Sequence, residues 1–522
     1  MDNNREKVYL AALLHDIGKF YQRADTGSVK TSKFLKEYCK DESSFCPMFN
    51  GIYSHKHVLW TAQFIDDYSA VFNQLADSDI GSISNKNNLT NLAACHHLKN
   101  EQLSDLGKIV KEADCLSSGM DRDKAYQDAQ DEMGWDSFKK KRMISILQTI
   151  NKKTESDEVW QHIPVEAMVL SKDYFPKQKF DKEPDYLKLW ESFKGEFNFI
   201  QANTYHAFSE TLLNLLLKYT SCIPASTIDF PDVSLYDHLK TTAAIAVCLY
   251  DWRQEKKKSE NPFLLIGADF SGIQPYIYQI VSKYAAKNLK GRSFYLKLLS
   301  DTIVRFLLKE LGLYRANIVY NSGGGFYLLA PNTEKVRASL SNAVNKIEKQ
   351  LFETHGTALY VAIDSVELSK DALLHKNGQS LGNVWGDLFQ KRDKKKSSKF
   401  SVQMLSNYKS FFEPFMQGGN AKRDSITGEE FLPDEKINEK GDLRLKTTTH
   451  DQIKIGEKLR ETNLLVVKEG DPLPYWKDKV HISPLNLGFT YYFLTKTENT
   501  KPTTKGKKIT TWDNTKNVKR WK

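Results

Sequence analysis

Twelve histidines occur in the 522 residues, and five of them (His15, His55, His57, His96 and His97) fall within the first 97. Their surroundings are apolar or small. LAALLHDIGKFY carries His15 and Asp16, YSHKHVLWTAQFI carries His55 and His57, LAACHHLKN carries His96 and His97, and IVKEADCLSSG carries Asp114. Imidazole nitrogens joined by one or two carboxylates form a ligand set for a divalent transition metal. A metal so held activates water for attack on a phosphodiester. Any one of these histidines, taken singly, reads as a core residue with a satisfied ring; the clustering is what points to a site. The dipeptide His-Asp has no weight of its own, because His450-Asp451 repeats it in the polar stretch LKTTTHDQIK.

On a helical wheel over 8–21, Leu10, Leu13, Leu14, Ile17, Phe20 and Tyr21 form the main apolar stripe. His15 falls almost opposite, between Val8, Ala11, Ala12 and Gly18. A helix apolar or small on both sides is buried all round, so the His15 ring needs a partner, and the small residues let another element approach it. His57 leads into an apolar-periodic helix. Asp114 follows Val110 by one turn on a helix that Gly119 can end.

A second place for chemistry is the glycine run Asn321-Ser322-Gly323-Gly324-Gly325-Phe326, set between two strand patterns. A nucleotide-polymerising palm needs carboxylates on its first strand and on the neighbouring hairpin to hold two metals. Here the first strand, FLLIGADF, ends in Asp269 and the hairpin has no carboxylate. Three glycines allow a base or phosphate to approach the backbone closely, and they also suit a plain tight turn.

The elements that must position these groups follow from periodicity. Residues 1–125 read as a helical domain and 126–255 as a helical connector. Residues 256–370 have the order strand, helix, strand, strand, helix, strand, which is ferredoxin-like. Residues 371–497 read as a small, irregular α/β linker domain, and 498–522 as a loose basic tail. The fold class expected is therefore α+β. That strand order is shared by many unrelated proteins and does not by itself assign a function.

Composition limits the class. Hydrophobic residues make up 40% and aromatics 12%, enough for sizeable cores and against global disorder. No apolar run approaches the length of a membrane span, and MDNNREK has no secretory h-region. The six cysteines show no CxxC spacing, so a reduced, cytoplasmic setting is expected. The net charge of +10 is concentrated: 496–522 has nine Lys/Arg against two acids, and 391–399 has six against one. Such clusters can neutralise nucleic-acid phosphates, or can simply be solvated segments.

Taken together, LLHDIGKFYQRA, IVKEADCLSSGMDR, DVSLYDHLKTTAAIA, GADFSGIQPYIY, LKGRSFYLKLL and YNSGGGFYLLAPN resemble the large subunit of type III-A CRISPR effector complexes over nearly the whole chain. The resemblance implies an antiviral, RNA-guided assembly with a metal-dependent HD nuclease for single-stranded DNA. It also implies the non-catalytic Palm of a cyclic oligoadenylate synthetase. Carried over, His15 and Asp16 are the catalytic dyad, and His15, Asp16, His57, His96, His97 and Asp114 are the metal ligands. Asp269, Ser271, Gly323, Gly324 and Gly325 are expected to seat ATP. The metal would be manganese, nickel or magnesium. Expected partners are CRISPR RNA and target RNA through other subunits, the DNA substrate and a second Palm, with no membrane. Two departures stand out. There is no GGDD motif, so oligoadenylate synthesis would need a second Palm, as in an N-terminal portion, a split gene product or a truncated form. The stretch between AKRDSITGEEF and THDQIKIGEKL has no cysteine, so zinc is not expected there. A weak scaffold subunit and a free-standing HD phosphohydrolase remain as alternatives.

Overall fold

The structure is a computed structural model; it describes residues 3–520 apart from 77–84, 120–136, 150–159, 201–203, 228–229, 257, 282–284, 414–421, 433, 477 and 496–517. The chain begins with α1 (Asn3–Leu14), in which every residue from Val8 to Leu14 is buried. It continues through α2 (Ile17–Ala24), the hairpin β1 (Met48–Phe49) and β2 (Ile52–Tyr53), α3 (His57–Asp67), α4 (Leu89–Ala94) and α5 (Asp105–Gly119). The single helix expected over 8–21 is in fact two, with His15 and Asp16 in the turn between them. Neighbours on one helix diverge by about 100°. The break instead lets both side chains enter the same site.

The connector supplies α6 (Tyr186–Phe197), α7 (Tyr205–Thr220) and α8 (Leu235–Gln254). α8 is apolar nearly all round and packs against both α1 and α5. Its Ala243 to Leu249 lie in the same hydrophobic cluster as Val8 to Leu14. The boundary expected near residue 125 thus marks a change in sequence character, not a division between two cores.

The Palm-like unit runs β3 (Phe263–Ser271), α9 (Ala285–Glu310), β4 (Ile318–Ser322), β5 (Gly325–Pro331), α10 (Glu334–His355) and β6 (Tyr360–Leu368). Its sheet has the order β4-β5-β3-β6, antiparallel throughout, which is the ferredoxin-like arrangement. Leu264, Ile266 and Ala268 of β3 point to α9 and α10. Side chains alternate along a strand, so Leu265, Gly267 and Asp269 face the other side, where α11 (Leu381–Ser397) lies through Leu388.

Beyond α11 come the hairpin β7 (Asn438–Lys440) and β8 (Leu443–Leu445), then α12 (Thr447–Lys458). α12 crosses α9 where Gly291 meets Gln452 and Gly456 meets Lys287; a methyl group at either glycine would fall on the partner helix's carbonyl oxygen. β9 (Leu464–Glu469), β10 (His481–Ile482), β11 (Phe489–Leu494) and β12 (Val518–Arg520) form a second antiparallel sheet in the order β10-β11-β9-β12. Leu465, Val467, Tyr491 and Phe493 from this sheet join the Palm core, and the Tyr491 hydroxyl donates to Asp301 on α9 at 3.0 Å. A loose tail was expected over 498–522. Instead Val518–Arg520 is a strand whose backbone pairs with β9, covering one edge of that sheet; 498–517 lies outside the described residues.

Candidate metal centre

His15 follows the end of α1, and its Nδ1 donates to the Ala12 carbonyl at 2.7 Å. His96 follows the end of α4 in the same way, donating from Nδ1 to the Ala93 carbonyl at 2.7 Å. A carbonyl only accepts, so each ring carries its proton on Nδ1 and turns an Nε2 lone pair inward. This is the orienting contact that metal-ligating histidines use. His57 begins α3, and Asp114 lies in the middle of α5. His238, on the second turn of α8, completes the group.

The side chains converge in two sets. Asp16, His57, His96 and His97 form one; His15, Asp16, Asp114 and His238 form the other. Within each set the potential ligand atoms lie within 4.8 Å of one another. Metal–nitrogen and metal–oxygen bonds of about 2.0–2.2 Å place ligands on one ion up to roughly 4 Å apart, so little closure is needed. Asp16 belongs to both sets. Its Oδ1 is 2.9 Å from His57 Nε2 and 3.8 Å from His96 Nε2, and its Oδ2 is 3.3 Å from His238 Nε2 and 3.5 Å from His15 Nε2. Asp114 Oδ1 lies 3.5 Å from His15 Nε2 and 3.3 Å from His238 Nε2.

Two observations fit these residues to cations. Asp16 Oδ1 and His96 Nε2 are buried and have no hydrogen-bond partner, although His57 stands near Asp16 Oδ1, and a buried polar atom left so is costly. Imidazole nitrogens also face each other, His15 Nε2 to His238 Nε2 at 3.1 Å and His97 Nε2 to His57 Nε2 at 3.4 Å. The His15 Nε2 lone pair therefore needs a proton or a cation between the rings.

The electrostatics agree. Burial by itself would raise Asp16, but Lys19, with His15, His57 and His238 around it, holds the carboxyl well below the usual range. Lys19 Nζ is 2.6 Å from Asp16 Oδ2 and donates to the Ala225 carbonyl at 3.0 Å. Asp114 is also held well below its usual value: the neighbouring His15 and His238 outweigh burial. Burial keeps His57 and His97 neutral and pushes His96 down to about 3. His238 goes the other way, to about 9, because Asp114 and Asp16 overcome its burial. Two anionic carboxylates among mostly neutral imidazoles make a ligand field for divalent cations.

The sequence had therefore brought forward His15, Asp16, His57, His96, His97 and Asp114, and the geometry gathers all six. His238 was missed. It lies 223 positions from His15, yet it sits on a helix buried all round, which is the signal that drew attention to His15. His55 stacks near His97, with ring centroids 4.1 Å apart, and belongs to neither set. His450 and Asp451, in the polar stretch set apart above, lie on α12 4.0 Å apart and outside both sets.

In the Palm, Asp269 pairs in register with Gly325, and Phe270 N donates to the Gly324 carbonyl at 2.8 Å. Ser271 ends β3, opposite Tyr360 of β6. The glycine hairpin and Asp269 are thus neighbours. Gly323 and Gly324 have φ of 65° and 90°, which only glycine adopts readily. Among the described residues, no set of three metal-ligating side chains forms in the Palm.

Comparison with known proteins bears on both sites. The HD domain family model matches residues 1–119, and the model for Csm1 subunit domain B matches 262–417. A CRISPR system single-strand-specific deoxyribonuclease Cas10/Csm1 (subtype III-A) from Methanocaldococcus jannaschii is 29% identical over 483 residues, covering 83% of this chain and 54% of that one. The protein of the same description from Enterococcus italicus is 28% identical over 445 residues, covering 78% and 52%. The chain is similar, over about four-fifths of its length, to type III-A Cas10/Csm1 proteins. It spans about half the length of these curated relatives. Among solved structures, a Csm1–Csm4 cassette in complex with one ATP superposes with a TM-score of 0.61 at 22% identity, covering 94% of this chain and 56% of that one. A Csm1–Csm4 cassette in complex with cA4 gives 0.54 at 25% identity, covering 76% and 49%. Both the helical HD unit and the Palm-like unit are accordingly features of a Csm1-type fold. Among the described residues no helix is long and apolar enough to cross a membrane.

Proposed function

We propose that the chain is a large-subunit component of a type III-A CRISPR RNA-guided antiviral complex. In this reading its HD unit cleaves single-stranded DNA with divalent cations, and its Palm is the non-catalytic half of a cyclic oligoadenylate synthetase. One observation carries the HD reading: the Asp16 carboxylate lies between two converging ligand sets, so that one side chain can bridge two ions. Divalent cations bound there supply Lewis-acid polarisation of the phosphodiester and activation of water.

The chain's own residues do the rest. His15, Asp114 and His238 with Asp16 would hold one cation, and His57, His96 and His97 with Asp16 would hold the second. Ala12 and Ala93 carbonyls fix the His15 and His96 rings, so both present Nε2 without rotation. Lys19 balances Asp16 and places a positive charge where a phosphate would approach. A set with five imidazoles suits nickel better than magnesium, which prefers oxygen ligands.

In the Palm, Gly323–Gly325 with Asp269 and Ser271 form the place for ATP, and synthesis of a cyclic product needs a second Palm carrying GGDD. Partners are CRISPR RNA and target RNA held through other subunits, and a Csm4-type subunit of the kind in the similar cassettes. The test is cleavage of a labelled single-stranded oligodeoxynucleotide with manganese. Cleavage by the wild-type chain, absent in a folded Asp16→Ala variant, is the expected result. Hydrolysis of mononucleotides in place of DNA would make the chain an HD phosphohydrolase, and no hydrolysis of either would make it a scaffold.

A further inference from the structure

α11 covers the Palm face turned away from α9 and α10, and one stripe of its side chains, spaced four residues apart, meets the sheet. Leu388 lies where a methyl group on Gly267 would strike it, at 2.7 Å. Arg392 donates to the Tyr327 hydroxyl at 2.8 Å. Lys396 forms an ion pair and hydrogen bond with Asp269. Asp269 is the lone carboxylate of β3, and β4 and β5 have none. The position at which a polymerase-type palm holds a divalent ion is therefore filled by an ammonium group.

The surroundings of that ammonium suit a phosphate. Asp269 pairs in register with Gly325, so Lys396 reaches the base of the glycine hairpin. Gly323 has φ of 65°, and the Tyr320 hydroxyl, 3.7 Å away, is the nearest atom a methyl group there would meet. The backbone is thus open at Gly323, while Ile273 covers Gly324. From α9, Lys297 Nζ donates to the Asn321 carbonyl at 3.2 Å, so the hairpin has a cation on each side. An ammonium has three donors. Asp269 and Asp393, the latter 3.4 Å away, engage two of them, which leaves one for a ligand oxygen.

We propose that Lys396 is the built-in cation of this Palm, taking the place of a divalent ion at Asp269 and receiving the polyphosphate of a nucleotide laid on Gly323–Gly325. The inference rests on the reading of the Palm as a nucleotide-seating half. In this arrangement Asp269 positions Lys396 and does not hold a metal. Polyphosphate binding here then requires no divalent cation and weakens with salt.

The test is equilibrium binding of ATP, ADP and AMP to the full chain, first in EDTA and then with magnesium. The wild-type chain is expected to bind ATP in EDTA. Lys396→Ala is expected to lose at least tenfold for ATP and progressively less for ADP and AMP, and Lys396→Arg to recover most of the loss. Asp269→Asn, which loses the ion pair that positions Lys396, is expected to weaken ATP binding in EDTA less than Lys396→Ala does and to leave it independent of magnesium. Matching thermal melts show that the variants are folded. Unchanged ATP affinity in Lys396→Ala, or magnesium-dependent binding that Asp269→Asn abolishes, overturns the proposal while leaving the Palm a nucleotide site. Absence of any ATP binding to the wild-type chain overturns the nucleotide reading itself, and the proposal with it.

Discussion

Gly18 is where helix packing and the metal centre meet, and a single methyl group tests whether they depend on each other. α2 crosses α3 at this residue. A Cβ on Gly18 would lie 2.6 Å from both Thr61 N and Thr61 Oγ1, and closer still to the His57 carbonyl oxygen. Carbon–oxygen contacts settle at about 3.3–3.6 Å, so the helices must part by more than about 1 Å to clear the His57 carbonyl. The atoms in the way are mostly backbone and cannot rotate aside. Thr61 Oγ1 also donates to the His15 carbonyl at 2.9 Å and accepts from Gly18 N at 3.1 Å, so the displacement reaches His15 and His57 together. Overpacking of this kind costs about 1–3 kcal/mol, and a ligand constellation tolerates only about 0.5 Å of error. Gly18→Ala should therefore lower the melting temperature and weaken manganese binding at least tenfold. Gly195, exposed on α6 with no atom within 4 Å of an added methyl, is the control. Gly195→Ala should raise stability by up to about 1 kcal/mol and leave metal binding unchanged. Calorimetry with and without manganese measures both. A Gly18→Ala chain that melts and binds manganese like wild type would refute the claim that this close approach sets the ligand geometry.

Two other outcomes are expected. Incubated with ATP, magnesium and target RNA, the chain by itself should yield no cyclic oligoadenylate by chromatography, since no GGDD occurs in it; a cyclic product from the purified polypeptide would contradict the Palm assignment. The second concerns pH. His355 Nε2 accepts from the Tyr295 hydroxyl at 2.8 Å, and burial, with Arg292 adding to it, pushes the ring down to about 3. The folded ring is neutral where the unfolded one, titrating near 6.5, takes up a proton. Stability from this group is therefore full above pH 6.5 and falls as pH drops toward 3, by at most about 1.4 kcal/mol per unit. Denaturant melts between pH 7 and 4.5 should show a smaller decline in His355→Gln, and an identical decline would remove His355 from the account.

The Palm was legible because its signals are local: an apolar strand run, two long amphipathic helices and a glycine turn, in an order with few closures. The HD ligands were legible as polar residues in segments otherwise apolar. The break between α1 and α2 was not, because neither glycine nor proline marks it and the apolar stripe runs through it unchanged. His238 was hidden by sequence distance, although LYDHLKTTAAIAVCLY is apolar enough to demand burial of its histidine. Lys396 was hidden differently. It belongs to a run of basic residues that reads as a solvated or phosphate-binding surface, and only the seating of α11 against β3 brings this one lysine to Asp269. The strand at Phe489–Leu494 was legible from its apolar run, but the sheet around it was not, because two of its partners are only two and three residues long and one comes from the far end of a polar tail.

The central claim is that one carboxylate serves two cation positions, and metal stoichiometry tests it most directly. Chains loaded with manganese, freed of excess and analysed by native mass spectrometry should carry two ions in the wild type and in the control variant His450→Ala. His238→Ala should keep one ion, His57→Ala should keep one, and Asp16→Ala should keep none while remaining folded. Two ions retained by Asp16→Ala, or a single ion in the wild type that survives both His238→Ala and His57→Ala, would contradict the shared-carboxylate centre.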